Sequence, residues 1–257
     1  MTEPSLPVPS APEPSALELL EADQLRFVET PTPPVPEDER LAMNRLWDEA
    51  VGANPILFDG PVAACTGTHW ESPRHLVVHW TRSSYRYRAL RRVPGAVSWL
   101  PSLFVTVLQP TDDGRLLVGR MSAWTQATGL WVLPGGSVEP PDRDGQLDLA
   151  ALRGHAAREL SEETGIDIAP DALALGALTR GQWRNLGAHF LAPPRPAREL
   201  RAIYEDFTAT ENALGREPEL DRITFVPSAE ALAELDGPRV DYLEPVVRRC
   251  AGVAQRF

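Results

Sequence analysis

Three glutamates fall within five positions of the segment ARELSEETGI, residues 157–166: Glu159, Glu162 and Glu163. On a helix each residue turns about 100°, so Glu163 lies roughly 40° past Glu159 and Glu162 roughly 60° before it. All three carboxylates then share one side within about 6 Å along the axis. Unpaired, they repel and weaken the helix. Arg158 can pair with Glu162, but one arginine cannot balance three acids. Clustered carboxylate oxygens are the preferred ligands of hard divalent ions, and Mg²⁺ in particular keeps waters and binds substrate phosphates as well. Upstream, the run LPGGSVEPPD carries Gly135-Gly136. A double glycine lets backbone approach a ligand closely and offers amide N–H groups to phosphate. A glycine loop followed by a carboxylate helix suits a metal-bound diphosphate; the competing reading is a solvated acidic face.

The elements that must position these groups are legible in outline. A helix is predicted from about Asp148 to Thr164, with Gly165 as its left-handed stop. Strands are predicted at 103–109, 116–120, 130–133, 174–180, 188–192 and 222–227. The turn PTDDG (110–114) joins the first two. Residues 37–53 read as a helix with acids in its first turn, stopped by Asn54-Pro55. A hairpin, 61–70 and 75–82, and the basic stretch 82–92 follow. Residues 244–257 read as a terminal helix. Mixed strands and helices argue an α/β or α+β sandwich. Three regions are expected: a Pro-rich acidic disordered arm at 1–36, a small helix and hairpin unit at 37–100, and a catalytic domain at 101–257. Within the arm, 16–27 is a candidate docking helix or strand.

Composition removes several function classes. The net charge is −11, and residues 1–40, with nine acids and two bases, carry −7 of it. The body has no basic stripe of the kind nucleic-acid binding needs. No window reaches the ~18–20 apolar residues of a membrane span, and the first residues lack the pattern of a secretion signal. Cys65 and Cys250 fit no metal spacing and read as buried thiols of a reducing cytoplasm. All 25 basic residues are arginine.

The run LPGGSVEPPD, then REL and SEETGI, resembles the Nudix box, G-x5-E-x7-R-E-U-x-E-E-x-G-U, where U is a bulky aliphatic. Gly136 matches its glycine; Arg158, Glu159, Leu160, Glu162, Glu163, Gly165 and Ile166 match its second half. Two departures stand out. The first acid falls on Asp142 or equally on Asp144, and fifteen residues separate Asp142 from Arg158 where the family has seven. The resemblance implies a Nudix-like α/β/α sandwich that hydrolyses a nucleoside diphosphate linked to another moiety. It implies Mg²⁺, with Mn²⁺ as the substitute, held by Glu159 and Glu163 with Glu162 auxiliary, while Arg158 orients a carboxylate. It also implies a small-molecule partner and, as in many family members, a homodimer. The general base is left open between Glu162 and a glutamate of the 194–221 loop: Glu205, Glu211, Glu217 or Glu219.

Further binding candidates are Arg120, at a strand end, Trp131, just before the glycine loop, and Arg86 and Arg88 of the basic stretch. His155 is expected to be a neighbour of the site rather than a ligand. The stretch LWDEAVGANPILFDGP (46–61) resembles a Nudix subgroup that cleaves UDP-sugars, which favours a nucleotide-sugar over ADP-ribose or a non-nucleotide diphosphate. A catalytically inactive ligand-sensing module on the same fold is the alternative of a different class.

Overall fold

The computed structural model describes residues 16–143 and 145–251. Two short strands open the chain, β1 (Glu18–Leu20) and β2 (Gln24–Glu29). Helix α1 (Glu37–Ala53) follows, then the hairpin β3 (Pro61–Ser72) and β4 (His75–Ser84), and a 3-10 segment, Tyr85–Arg92. Next come β5 (Leu103–Leu108), β6 (Leu116–Met121), β7 (Trp131–Val132) and β8 (Gly135–Ser137). Helix α2 (Leu149–Thr164) precedes β9 (Ala174–Arg180) and β10 (Leu186–Leu191); α3 (Ala197–Ala213), β11 (Leu220–Val226) and α4 (Leu243–Ala251) complete the fold.

Three sheets result. The largest runs β1-β9-β10-β5-β8, with β10 and β5 parallel. The second runs β11-β6-β7 and the third β2-β4-β3. Strands β5 and β10 are almost wholly apolar and buried, as central strands covered on both faces must be. One polar device interrupts that interior. His189 is fully buried, with Thr106 Oγ1 2.8 Å from Nδ1 and Thr179 Oγ1 2.8 Å from Nε2. Both ring nitrogens are satisfied, so the imidazole sits neutral, and burial pushes its pKa down to about 3.

The N-terminal residues are more ordered than their composition suggests. Strand β1 extends the large sheet along β9, and β2 lies parallel to β4 in the third sheet. Leu20 is buried and Phe27 packs on the core. These few apolar side chains give strands their contacts, so the disordered-arm expectation does not describe 18–29; residues 1–15 lie outside the described residues, as do 252–257 of the expected terminal helix. Ala63 N–H donates to the Val138 carbonyl and Cys65 N–H to that of Pro101, joining β3 to the segments beside β5. Helix α1 buries Met43 and Trp47, and its Glu39 accepts from the Val97 and Ser98 N–H groups at 3.2 Å each.

The expected loop at 194–221 is largely helix. In α3, Leu200 and Tyr204 are buried and Ile203 and Phe207 partly so, a spacing of three and four that marks one helical face. Its end delivers the chain to Glu219, just before β11. No helix among the described residues is long and apolar enough to cross a membrane.

Candidate active site

Helix α2 begins on Asp148, whose side chain accepts from Ala151 N–H, and ends on Gly165 at φ 73°. Its buried face is Leu152, Ala156, Leu160 and, one turn further, Glu163. Local periodicity therefore drives Glu163 inward along with the leucines: it is 3% exposed. Facing it is β8, the edge strand of the large sheet, paired to β5 as Thr106 with Gly135 and Val105 with Gly136.

The two glycines are required by different contacts. Gly135 has φ 154°, and a Cβ there would run into the Val105 carbonyl and the Thr106 Cα. Its N–H donates to Glu163 Oε2 at 2.9 Å. At Gly136 a Cβ would lie 2.5–2.7 Å from the carboxylate atoms of Glu159. The absent side chain is what lets Glu159 lie against the strand.

The electrostatics are those of an under-compensated acidic site. Burial pushes the Glu159 carboxyl up to about 7, and the charge of Glu162 adds to the effect. Burial raises Glu163 well above the carboxylate range, with Glu219 the next cause and the Gly135 N–H opposing. Glu219 arrives from the segment before β11, and its carboxylate lies close enough to Glu163 to raise that group's pKa. Glu162 faces outward with a 62% exposed side chain, 3.8 Å from Arg158. Arg158 also lies 3.3 Å from Glu139 and donates to His155 Nδ1 at 2.8 Å. Burial, with Arg158 second, lowers the His155 pKa, which keeps the ring an acceptor for that bond.

Glu139, rather than Asp142, is thus the acid that the loop presents to Arg158. Asp142 is exposed, and its carbonyl accepts from Gly145 N–H at 2.9 Å and from Arg82 at 3.4 Å; Asp144 lies outside the described residues. The available signal was a carboxylate three residues past the double glycine. Glu219 was one of four glutamates open to selection, and proximity picks it.

Beside Glu219 opens a cleft of about 620 Å³ between the α1–β3 loop and the β6–β7 loop. Phe58, Tyr85, Trp124 and Arg88 line it. Phe58 is 76% exposed and its cleft neighbour Ile56 67%, so the lip of the cleft presents apolar side chains together rather than singly. Arg88 lies over the Tyr85 ring, 4.5 Å from its centroid, and donates to Ser137 Oγ at 2.6 Å, next to Gly136. The other expected binding residues stand elsewhere. Arg86 is held by Asp59 at 2.5 Å. Arg120 forms a two-pronged pair with Asp221, both contacts 2.8 Å. Trp131 is 1% exposed, donates from Nε1 to the Asp236 carbonyl and packs in the second core cluster. None of the three lines this cleft, because each found a partner in its own neighbourhood.

Among the described residues, no three His, Cys, Asp or Glu side chains are grouped as a ready-made ion cage. The donor chemistry nevertheless fits Mg²⁺, which takes one or two carboxylates and completes its octahedron with water and substrate phosphates. Glu159 and Glu163, crowded by Glu219 and short of positive partners, are carboxylates that a divalent cation would relieve.

A carboxylate helix set against a double-glycine strand, with an open aromatic cleft alongside, defines a class of diphosphate-cleaving fold. The family model of the NUDIX domain matches residues 101–245, more than half the chain, and the chain belongs to the Nudix family as a pyrophosphohydrolase. Solved structures similar to it include a MutT NUDIX hydrolase from Burkholderia pseudomallei (18% identity, TM-score 0.35, 57% of this chain and 95% of that one). Others are the MutT protein from Methanosarcina mazei Go1 (21%, 0.36, 61% and 94%) and the NUDIX domain of Shewanella oneidensis NrtR complexed with ADP ribose (14%, 0.38, 61% and 89%). No curated protein matches the chain.

Proposed function

We propose that the protein hydrolyses, with Mg²⁺, the diphosphate bridge of a nucleotide joined to a second group, most favourably a nucleotide-sugar, to a nucleoside monophosphate and a sugar 1-phosphate. The observation that carries this reading is the convergence of Glu159, Glu163 and Glu219 beside Gly135-Gly136 at the end of an aromatic-lined cleft. In this reading residues 101–257 carry the chemistry, and 37–100 supply one wall of the cleft.

Glu159 and Glu163 would hold the ion, with Glu162 in reach only as an outer, solvent-facing acid. A bound divalent ion supplies charge to the diphosphate oxygens and lowers the pKa of bound water. Glu219, on the cleft wall, is the carboxylate placed to take the proton as a water oxygen bonds to phosphorus and the bridging P–O bond breaks. Arg88, with no carboxylate partner among the described residues, offers its guanidinium to non-bridging oxygens. Phe58, Tyr85 and Trp124 offer faces to a base. Arg158 acts through others: it holds Glu139 and His155 and leans on Glu162. The sugar preference rests on the 46–61 resemblance, whose Phe58 and Asp59 sit at or beside this cleft; ADP-ribose is the main competitor.

The test is product analysis. The chain with Mg²⁺ is incubated with UDP-glucose, ADP-ribose, NADH, dinucleoside polyphosphates and prenyl diphosphates, beside Glu159→Gln and Glu163→Gln. Release of UMP and glucose 1-phosphate by the wild type alone is expected. Equal rates for wild type and variants would remove the reading, and preference for ADP-ribose would remove the sugar assignment.

A further inference from the structure

A second cavity, of about 240 Å³, lies at the seam between β3, the 97–101 segment and the β9–β10 turn. It shares no lining residue with the cleft beside Glu219. Its walls combine Trp99, Leu100 and Pro101 with Thr68, Arg180 and Arg184.

Four features make it more than a gap between units. First, its charge is one-sided. Arg184 has no ion-pair partner among the described residues, and Arg180 reaches Glu18 only at 3.6 Å. Second, the backbone that carries Arg184 is held in an unfavourable state: Trp183 and Arg184 both have positive φ, 62° and 57°. Such conformations are disfavoured for residues with a side chain and concentrate at functional sites. Third, the aromatic wall is built. Trp99 meets Trp183 edge-on, with centroids 5.9 Å apart, and Arg91 lies over Trp99 at 5.6 Å. Fourth, Arg91 adds buried positive charge with no carboxylate partner among the described residues. Its Nη2 bonds Asn185 Oδ1 at 2.7 Å, while its Nε is buried and unsatisfied. A protein whose net charge is −11 has acids to spare, yet among the described residues only Glu18, at 3.6 Å from Arg180, is paired with any of these arginines.

We infer that this cavity is a separate binding site for a small planar anion, a nucleoside monophosphate being the representative chemistry. Arg180 and Arg184 take the phosphate, where paired guanidiniums make charge-assisted bonds. Trp99 and the apolar residues beside it take the ring. The cavity, below the ~300–1,000 Å³ of drug-sized ligand sites, limits the site to one small ligand. The inference does not depend on the diphosphatase reading.

The experiment is calorimetric titration of the full chain with UMP, AMP and inorganic phosphate in EDTA, which suppresses binding that needs a divalent ion. The expected result is one nucleotide site that Arg184→Ala weakens at least tenfold. Arg88→Ala leaves that site within about threefold of wild type, and Trp99→Leu weakens nucleotide more than phosphate. Arg184 is exposed, so its alanine variant folds; should Trp99→Leu not fold, the arginine pair of variants decides. The inference is overturned if neither nucleotide binds at millimolar concentration or if Arg184→Ala binds like wild type. Equal loss in Arg88→Ala and Arg184→Ala also overturns it, since the two places would then be one groove. Phosphate binding as tightly as UMP overturns the planar-ligand assignment.

Discussion

Replacing Gly136 by alanine separates the site from the fold more sharply than any change to the glutamates. The new Cβ would stand 2.5–2.7 Å from three carboxylate atoms of Glu159, so its nearest neighbours are the end of a flexible side chain rather than backbone. Ordinary carbon contacts begin near ~3.4 Å, so the carboxylate must retreat by about 1 Å, and a displacement of that size at a catalytic group costs on the order of 10²-fold in rate. Gly136 is not among the positive-φ glycines. Alanine is therefore conformationally acceptable, and the lost unfolded-state entropy stabilises by about 0.4–1 kcal/mol. The expected variant is folded, melts within a few degrees of wild type, and has kcat/KM for its nucleotide-sugar reduced about 100-fold, or ~2.7 kcal/mol in transition-state stabilisation. Gly135→Ala is the contrast: its Cβ meets the Val105 carbonyl and Thr106 Cα, backbone that cannot swing aside, so the fold itself should fail. Steady-state hydrolysis with Mg²⁺, measured beside thermal unfolding, reads both. A folded Gly136→Ala enzyme within threefold of wild-type kcat/KM would show that Glu159 does not act from its position against β8.

Glu163→Gln should abolish Mg²⁺-dependent hydrolysis yet raise the thermal midpoint of the metal-free protein, by about 1–2 kcal/mol of added stability, because a buried acid crowded by Glu219 is relieved; a lower midpoint would contradict the repulsion. Saturating Mg²⁺ should stabilise the wild type by about 2.7 kcal/mol at a hundredfold excess over Kd, and Glu159→Gln should lose most of that shift in a melting titration. His189 sets an acid limit. The unfolded imidazole binds a proton near ~6.5 and the native one only near about 3, so between those values the unfolded state holds more protons and stability falls as pH falls. The full window is worth at most about 4–5 kcal/mol, and denaturant midpoints for His189→Gln should show a shallower slope there than wild type.

Periodicity within a single segment carried a good part of this protein. The spacing of Leu152, Ala156, Leu160 and Glu163 fixes both the helix and the inward face of its acid. Asp148 and Gly165 mark its ends through local capping chemistry. The core strands were readable because β-branched and apolar runs between turn residues have few other uses. Helix α3 was readable in principle from Leu200, Tyr204 and Phe207, but its six charged residues outnumber its four large apolar ones and the segment reads as loop. The tertiary structure alone decided the rest. Which of four glutamates stands beside Glu163, which of the arginines are pinned by Asp59 or Asp221, and whether Trp131 faces a cleft or the core all depend on neighbours far away in the chain. The fold brings them together by hydrophobic burial, which is non-directional and leaves no pairwise mark in the order of residues. Chemistry local to one turn of helix is written in sequence; chemistry assembled across sheets exists only once they have packed.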